Sequence, residues 1–199
     1  SGFTLSSGGT TAASSPSGID GTLTVSIAGQ VVTVTRSAGT SSAAGAKSFV
    51  LSNIKNPTVS GSSGTFQIKS TNASDVKIDE DAAVAAVTIT AGVPTSTSVT
   101  PASLVAGTAG NVTVAFTTIN AIPADGKIVV TFPSGFTLSS GGTTATSSPS
   151  GIDGTLTVGV SGQVVTVTRS AGTSSAANAK SFVLSNIKNP AVSGSSGSF

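Results

Sequence analysis

Residues 155–170 read TLTVGVSGQVVTVTRS, and this stretch decides the fold class. Apolar residues occupy every second position of TLTVGV and of VVTVT, with Thr or Gly between them. Such alternation is typical of β-strands that have one face in a core and the other in solvent. The break between the two runs, at Ser161-Gly162, is two residues long and contains glycine, which predicts a tight β-hairpin.

The same alternation recurs along the chain, and no stretch of useful length has helical periodicity. Seven or eight short strands at this spacing favour an all-β fold, an antiparallel β-sandwich of the immunoglobulin-like type. A closed β-barrel is the structural alternative. We predict strands near 97–106, 111–119, 126–133, 154–161, 163–169 and 179–186, followed by the equivalents of 65–70 and 84–90.

A long duplication surrounds this stretch: residues 1–66 return as residues 134–199, offset by 133 residues and identical at all but seven positions. A fixed period indicates a chain built from one repeated unit, and such chains usually serve as scaffolds, stalks or fibres. The period far exceeds the ~20–50 residues of a solenoid turn, so each repeat should be a domain with its own core. The seven differing pairs are Ala13/Thr146, Ser26/Gly159, Ile27/Val160, Ala28/Ser161, Gly45/Asn178, Thr58/Ala191 and Thr65/Ser198.

The stretch 91–97, AGVPTST, contains Gly, Pro and small polar residues and predicts the boundary between repeats. Residues 1–92 are then the C-terminal part of one β-sandwich repeat, and residues 93–199 are the N-terminal part of the next, without its final strands. Such a sandwich would expose unpaired backbone groups and an open core. We expect the polypeptide to continue as a repeat array, with strand exchange between neighbouring copies, as a homopolymer, as the alternative.

The composition excludes several classes of partner. Ser and Thr make up a third of the chain, charged residues 8%, and the net charge of +2 comes from scattered lysines without aromatic neighbours. No nucleic-acid partner is therefore expected. The longest apolar stretch, 81–93, is shorter than the ~20 residues that cross a bilayer, so we expect no membrane span in this segment.

Catalysis is not expected, because neither His nor Cys is present and the carboxylates are few. General acid–base or nucleophilic catalysis needs a positioned pair of groups with adjusted pKa values. Asp20 and Asp153 occupy the same position of two repeats, which leaves few independent acids. We predict that the protein is not an enzyme and has no catalytic residue and no organic cofactor.

Four of the seven carboxylates lie close together, at Asp75, Asp79, Glu80 and Asp81, near the predicted boundary. Ca²⁺ takes about six to eight oxygen ligands, and an acidic loop between tandem extracellular domains would bind it and stiffen the joint. The spacing lacks the glycine-punctuated order of an EF-hand. A solvated acidic turn beside Lys77 is the alternative explanation, and both stay open.

Covalent glycans are the other expected addition. Asn72-Ala73-Ser74 and Asn111-Val112-Thr113 match the acceptor triplet for N-linked sugars. Serine-rich and threonine-rich loops at 6–17 and 139–150 would accept O-linked sugars equally well.

Three runs carry a resemblance to a known class of protein: PADGKIVVTFPSGFTLSSGG at 123–142, VSGQVVTVT at 160–168 and SFVLSNIKNP at 181–190. They resemble the tandem immunoglobulin-like repeats of large secreted microbial stalk, adhesin and fibril proteins, including glycosylated extracellular fibrils from environmental samples. The resemblance implies a secreted or cell-surface location and a structural repeat module of a self-assembling fibre or stalk. The alternative that it implies is an adhesin module whose loops bind a glycan or a host surface.

Overall fold

The computed structural model describes residues 2–5, 12–139, 145–195 and 197–199. The chain divides into two compact units, Ser1–Ala91 (unit 1) and Gly92–Phe199 (unit 2). The described residues form strands, turns and loops without a helix, and every strand pair is antiparallel. The predicted all-β, antiparallel fold class is therefore confirmed.

Within its described part, unit 1 holds eight short strands that pair two by two. β1 pairs with β4, β2 with β3, β5 with β8 and β6 with β7. Their bounds are β1 (Ala12–Ser17), β2 (Thr22–Ala28), β3 (Val31–Ser37), β4 (Ser48–Leu51), β5 (Gly61–Ser62), β6 (Phe66–Thr71), β7 (Lys77–Val84) and β8 (Thr88–Ile89).

Unit 2 holds seven described strands in two sheets. One sheet has the order β12-β15-β10-β9 and the other has the order β11-β14-β13. Their bounds are β9 (Thr95–Pro101), β10 (Ala109–Thr117), β11 (Lys127–Thr131), β12 (Ala145–Ser150), β13 (Thr155–Ser161), β14 (Val164–Ser170) and β15 (Ala179–Lys188).

The two sheets of unit 2 share one hydrophobic core, which is the arrangement of a β-sandwich. Val112 of β10 and Phe182 of β15 come from the first sheet, and Val165 of β14 comes from the second. Alternate residues of β14 and β15 are buried, as the period of two requires. Whether further strands complete the repeat after residue 199 stays a prediction.

The hairpin predicted in residues 155–170 is present, but its turn lies one residue later than expected. Ser161 pairs with Val164, so that Gly162-Gln163 forms the two-residue loop. Gly162 has a φ of 57°, and a positive φ at the first loop position is the reason for glycine there. The same register and the same loop occur in β2 and β3, where Ala28 pairs with Val31.

Two strand predictions are wrong. The strand expected near 84–90 is instead β7, which begins at Lys77, followed by the two residues of β8. The acidic residues led us to expect a turn there, but their backbone pairs with β6, since a strand with both faces in solvent tolerates charge. The strand β12 was missed because its sequence, ATSSPS, lacks apolar alternation. Its pairing with β15 imposes the extended conformation.

Matching positions of the two units differ sharply in exposure. Phe182 is fully buried, whereas its equivalent Phe49 is 40% exposed. In unit 2, β15 pairs with β10 and β14 pairs with β11, whereas in the described part of unit 1 the equivalent strands β4 and β3 pair only with β1 and β2. The same sequence is therefore a core in one unit and a half-exposed face in the other.

Truncation of these two phenylalanines should have unequal effects. Phe182→Ala leaves a cavity in a closed core and should lower the free energy of unfolding of unit 2 by about 3–5 kcal/mol. Phe49→Ala, at the equivalent position of unit 1, should cost less than half of that, because its ring is already partly in water. Guanidinium denaturation followed by circular dichroism, with hydrogen exchange to assign the units, measures both. Equal losses would contradict the difference in burial.

Candidate functional site

Both predicted N-glycosylation sites lie at the surface. Asn72 is exposed in the tight loop between β6 and β7, where its Oδ1 accepts hydrogen bonds from the backbone N–H groups of Ser74 and Val76, both at 3.0 Å. Asn111 is exposed on β10, at a shift of the register with β15 between Gly110 and Val112. A bulge of this kind turns a side chain away from the ladder. Of the loops predicted for O-linked sugars, residues 6–11 and 140–144 lie outside the described residues.

The structure spreads the four acidic residues along the hairpin β6–β7. Asp75 lies in its loop, and Asp79, Glu80 and Asp81 follow one another on β7, so that Glu80 points to the opposite face from its neighbours. Glu80 pairs with Lys77 at 2.5 Å. Among the described residues, no three His, Cys, Asp or Glu side chains form a group that could hold a metal ion. Calcium binding at this hairpin stays a prediction. It is tested by comparing the melting temperature in calcium with that in a chelator.

The most organised polar cluster surrounds Arg169 at the end of β14, and the sequence did not predict it. The Arg169 side chain is 1% exposed and forms an ion pair with the carboxylate of Asp153. Its Nε donates to the Asp153 carbonyl at 2.7 Å, and its Nη1 donates to the Pro123 carbonyl at 2.8 Å. Its Nη2 donates to the carbonyl of Thr173. A buried charge is tolerated only when it is paired and hydrogen-bonded, and this guanidinium meets both conditions.

The loop that follows β14 is fitted to this guanidinium. The carboxylate of Asp153 accepts hydrogen bonds from the backbone N–H and the hydroxyl of Thr173, at 2.9 and 2.7 Å. A Cβ atom at Gly172 would lie 2.6 Å from Nη2 of Arg169, so only glycine fits at that position. The cluster therefore links β14, its following loop and the turn that precedes β11.

A second buried cation, Lys180, lies at the start of β15. Its Nζ donates to the Ala176 carbonyl at 2.5 Å and to the side chain of Asn178. Burial lowers the pKa of Lys180, and the positive charge of Arg169 lowers it further. A sequence signal for both cations existed: Arg169 is in phase with Val165 and Val167, and Lys180 is in phase with Phe182.

Unit 1 contains the equivalent cluster, but its side chains are partly exposed to solvent. Arg36 pairs with Asp20 at 2.9 Å, but their side chains are 31% and 47% exposed. The Asp20 carboxylate accepts hydrogen bonds from the hydroxyl and the backbone N–H of Thr40, which hold the pKa of Asp20 below its usual range. Lys47 donates to the Ala43 carbonyl at 2.6 Å and is exposed. The pairings are thus encoded in the repeated sequence, whereas their burial is not.

The second asparagine of the SNIKNP motif, Asn189 in unit 2, also binds other parts of the chain. In unit 2 the amide of Asn189 is buried and donates to the carbonyls of Ser103 and Val105, at 2.7 and 2.9 Å. Its equivalent in unit 1, Asn56, is exposed. The side chains of Arg169, Lys180 and Asn189 bind other parts of the chain.

A depression of about 500 Å³ lies beside residues 57–64. It is lined by Gly, Pro, Ser, Thr and Val, none of which has a titratable side chain.

Comparisons with known proteins gave no match to a family and no significant similarity to a curated protein or to a solved structure. No helix in the described ranges is long and apolar enough to cross a membrane.

The buried lysine should make unit 2 more stable at alkaline pH. Because the pKa of Lys180 is lowered in the folded state, the unfolded chain holds an extra proton between that lowered pKa and the ordinary value of 10.5. The free energy of unfolding should therefore rise with pH through this window. Tyr and Cys are absent, so lysines are the side chains that titrate here.

Guanidinium denaturation at several alkaline pH values measures this rise. Lys180→Met should abolish it, whereas Lys47→Met, the matched change at the exposed equivalent, should leave it in place. An unchanged slope in Lys180→Met would contradict the assignment of the effect to this amine.

Proposed function

We propose that the chain is a segment of a secreted, glycosylated, self-assembling extracellular fibre or stalk. It is built from immunoglobulin-like β-sandwich repeats with a period of 133 residues. The function is mechanical: covalently joined repeats give length, and sandwich cores give resistance to unfolding. The protein performs no catalysis.

The observation that carries the proposal is the recurrence of the same local contacts at positions 133 residues apart. Gln30 donates to the Phe3 carbonyl at 3.0 Å, as Gln163 does to that of Phe136 at 3.1 Å. Phe3 contacts Phe66 with ring centroids 5.7 Å apart, and Phe136 contacts Phe199 at the same distance. In an array of domains, each copy of the repeated sequence must specify its own local structure.

The surface chemistry supports an extracellular fibre. In β2 and β13 the outward positions are mainly Thr and Ser, and the inward positions are apolar. Such a surface carries little charge to keep the edges of neighbouring sheets apart. Glycans at the exposed Asn72 and Asn111 would supply that separation and the missing hydration.

The array proposal is tested by lengthening the chain. Residues 67–199 added after Phe199 reproduce the natural junction, since Phe66 is followed by Gln67. One, two or three added copies should lengthen the particle in equal steps by electron microscopy. In single-molecule stretching, each copy should add one unfolding event that releases at most about 480 Å of chain.

A matched control carries Val165→Asp and Phe182→Asp in the added copies, which should extend without an unfolding event. Compact particles whose length does not grow with copy number would contradict the array. Tight binding of one class of glycan on a glycan array, lost when loop residues are changed, would instead establish the adhesin alternative.

The glycosylation sites are tested separately. The 199-residue chain, secreted from a eukaryotic host, should have an intact mass above the 18.9 kDa of its sequence. Asn72→Gln and Asn111→Gln should each remove one glycan mass, whereas Asn120→Gln, outside any acceptor triplet, should remove none. An unmodified mass would remove N-linked glycans from the proposal.

A further inference from the structure

Strands β3 and β4 of unit 1 belong to separate two-stranded sheets, and we call their partly exposed apolar residues the open face. Phe49 and Val50 of β4 are 40% and 58% exposed. Phe182 and Leu184, the equivalents in unit 2 of Phe49 and Leu51, are both fully buried. Apolar area of this kind, on strands with one partner each among the described residues, is typical of a surface that another segment covers.

The difference between the units does not come from the core positions of the repeated segments 1–66 and 134–199. None of the seven differing pairs falls on a buried core residue of unit 2. Arg36, Lys47 and Asn56 are exposed where Arg169, Lys180 and Asn189 are buried, although each pair is the same amino acid. Apart from Gly45, which stands where Asn178 binds Lys180, the open face therefore carries a surface whose covered form is known from unit 2.

Unit 2 also shows what the cover is. We call residues 93–133 the donor segment and residues 134–199, with their repeat 1–66, the acceptor segments. In unit 2 the donor strand β10 pairs with β15 from Ala109↔Lys188 to Thr117↔Ala179. The donor strand β11 pairs with β14 from Lys127↔Thr168 to Thr131↔Val164. The donor thus adds β10 and β9 to one sheet and β11 to the other, and its residues Val112, Val114 and Val130 enter the core.

Three further contacts make this cover specific. The donor turn supplies the Pro123 carbonyl that Arg169 binds, and the donor loop supplies the Ser103 and Val105 carbonyls that Asn189 binds. Donor residue Phe132 contacts the rings of Phe136 and Phe199, with centroids 5.5 and 5.6 Å away. In unit 1 the corresponding arginine, asparagine and phenylalanine pair are all present.

We propose that a second donor segment, with the sequence of residues 93–133 and preceding Ser1 in the same polypeptide, covers the open face of unit 1. This inference rests on the proposed repeat array, and it specifies which segment packs against each acceptor segment. The donor of unit 2 continues directly into its acceptor at Pro133-Ser134, which keeps the entropic cost of closure small.

The test lengthens the chain at its amino end by residues 93–133, so that Pro133 is joined to Ser1 as it is to Ser134. The readout is the rate at which an amine-reactive reagent modifies Lys47, with Lys180 as the buried reference in the same molecule. Mass spectrometry distinguishes the two peptides because Gly45 replaces Asn178.

In the 199-residue chain Lys47 should react at least about tenfold faster than Lys180, since a buried amine reacts only after local opening. In the lengthened chain Lys47 should react at least about fivefold more slowly than in the 199-residue chain. Its rate need not match that of Lys180, because Gly45 lacks the side chain with which Asn178 binds Lys180. Val112→Asp with Val114→Asp in the added segment alone should restore the fast reaction of Lys47. Slow modification of Lys180 in all three chains shows that unit 2 is folded.

Fast modification of Lys47 in the lengthened chain would overturn the proposal. So would protection of Lys47 in the 199-residue chain by a concentration-dependent dimer, because the occupant would then be a second molecule. The measurement needs no filament, so failure of added repeats to form a rod would remove the proposed function and leave the cover of the open face in place.

Discussion

The structure depends on the pairing of donor strands β10 and β11 with acceptor strands β15 and β14. Each pairing adds a strand to one sheet of unit 2 and brings apolar donor residues into the core. Hydrophobic burial and the ladder hydrogen bonds are gained together, since one strand supplies both. The equivalent acceptor in unit 1 keeps its hairpin and its local ion pair, but its apolar residues are not buried. The acceptor sequence therefore specifies the local contacts, and the donor strands provide the burial.

The buried cations show how such a pairing is made specific. Apolar strands pair with many partners, because hydrophobic contact is not directional. The guanidinium of Arg169 takes carbonyls from three separate segments, including the donor turn, and a segment without that turn would leave part of a buried charge unpaired. Selection among similar strands therefore comes from polar groups at the end of an apolar core.

The acidic segment and the strand β12 show where prediction from sequence stops. Charges on β7 and the serine-rich sequence of β12 gave no strand signal, because one strand has both faces in solvent and the other is extended only through its pairing with β15. Arg169 and Lys180 did carry a signal, as charges in phase with core residues, which a search for charge clusters overlooks. The pairing of β12 with β15 and the contact of Arg169 with Pro123 join residues distant in sequence, whereas β7 pairs with β6 through a short loop.

The sequence by itself determined the all-β class, the hairpins, the duplication and the ion pair between Asp20 and Arg36, because each depends on alternation or on neighbours within one repeat. Only the tertiary structure decided which copy of the repeat is buried. Burial depends on whether strands from residues 93–133 lie against it, and two nearly identical sequences cannot encode that difference.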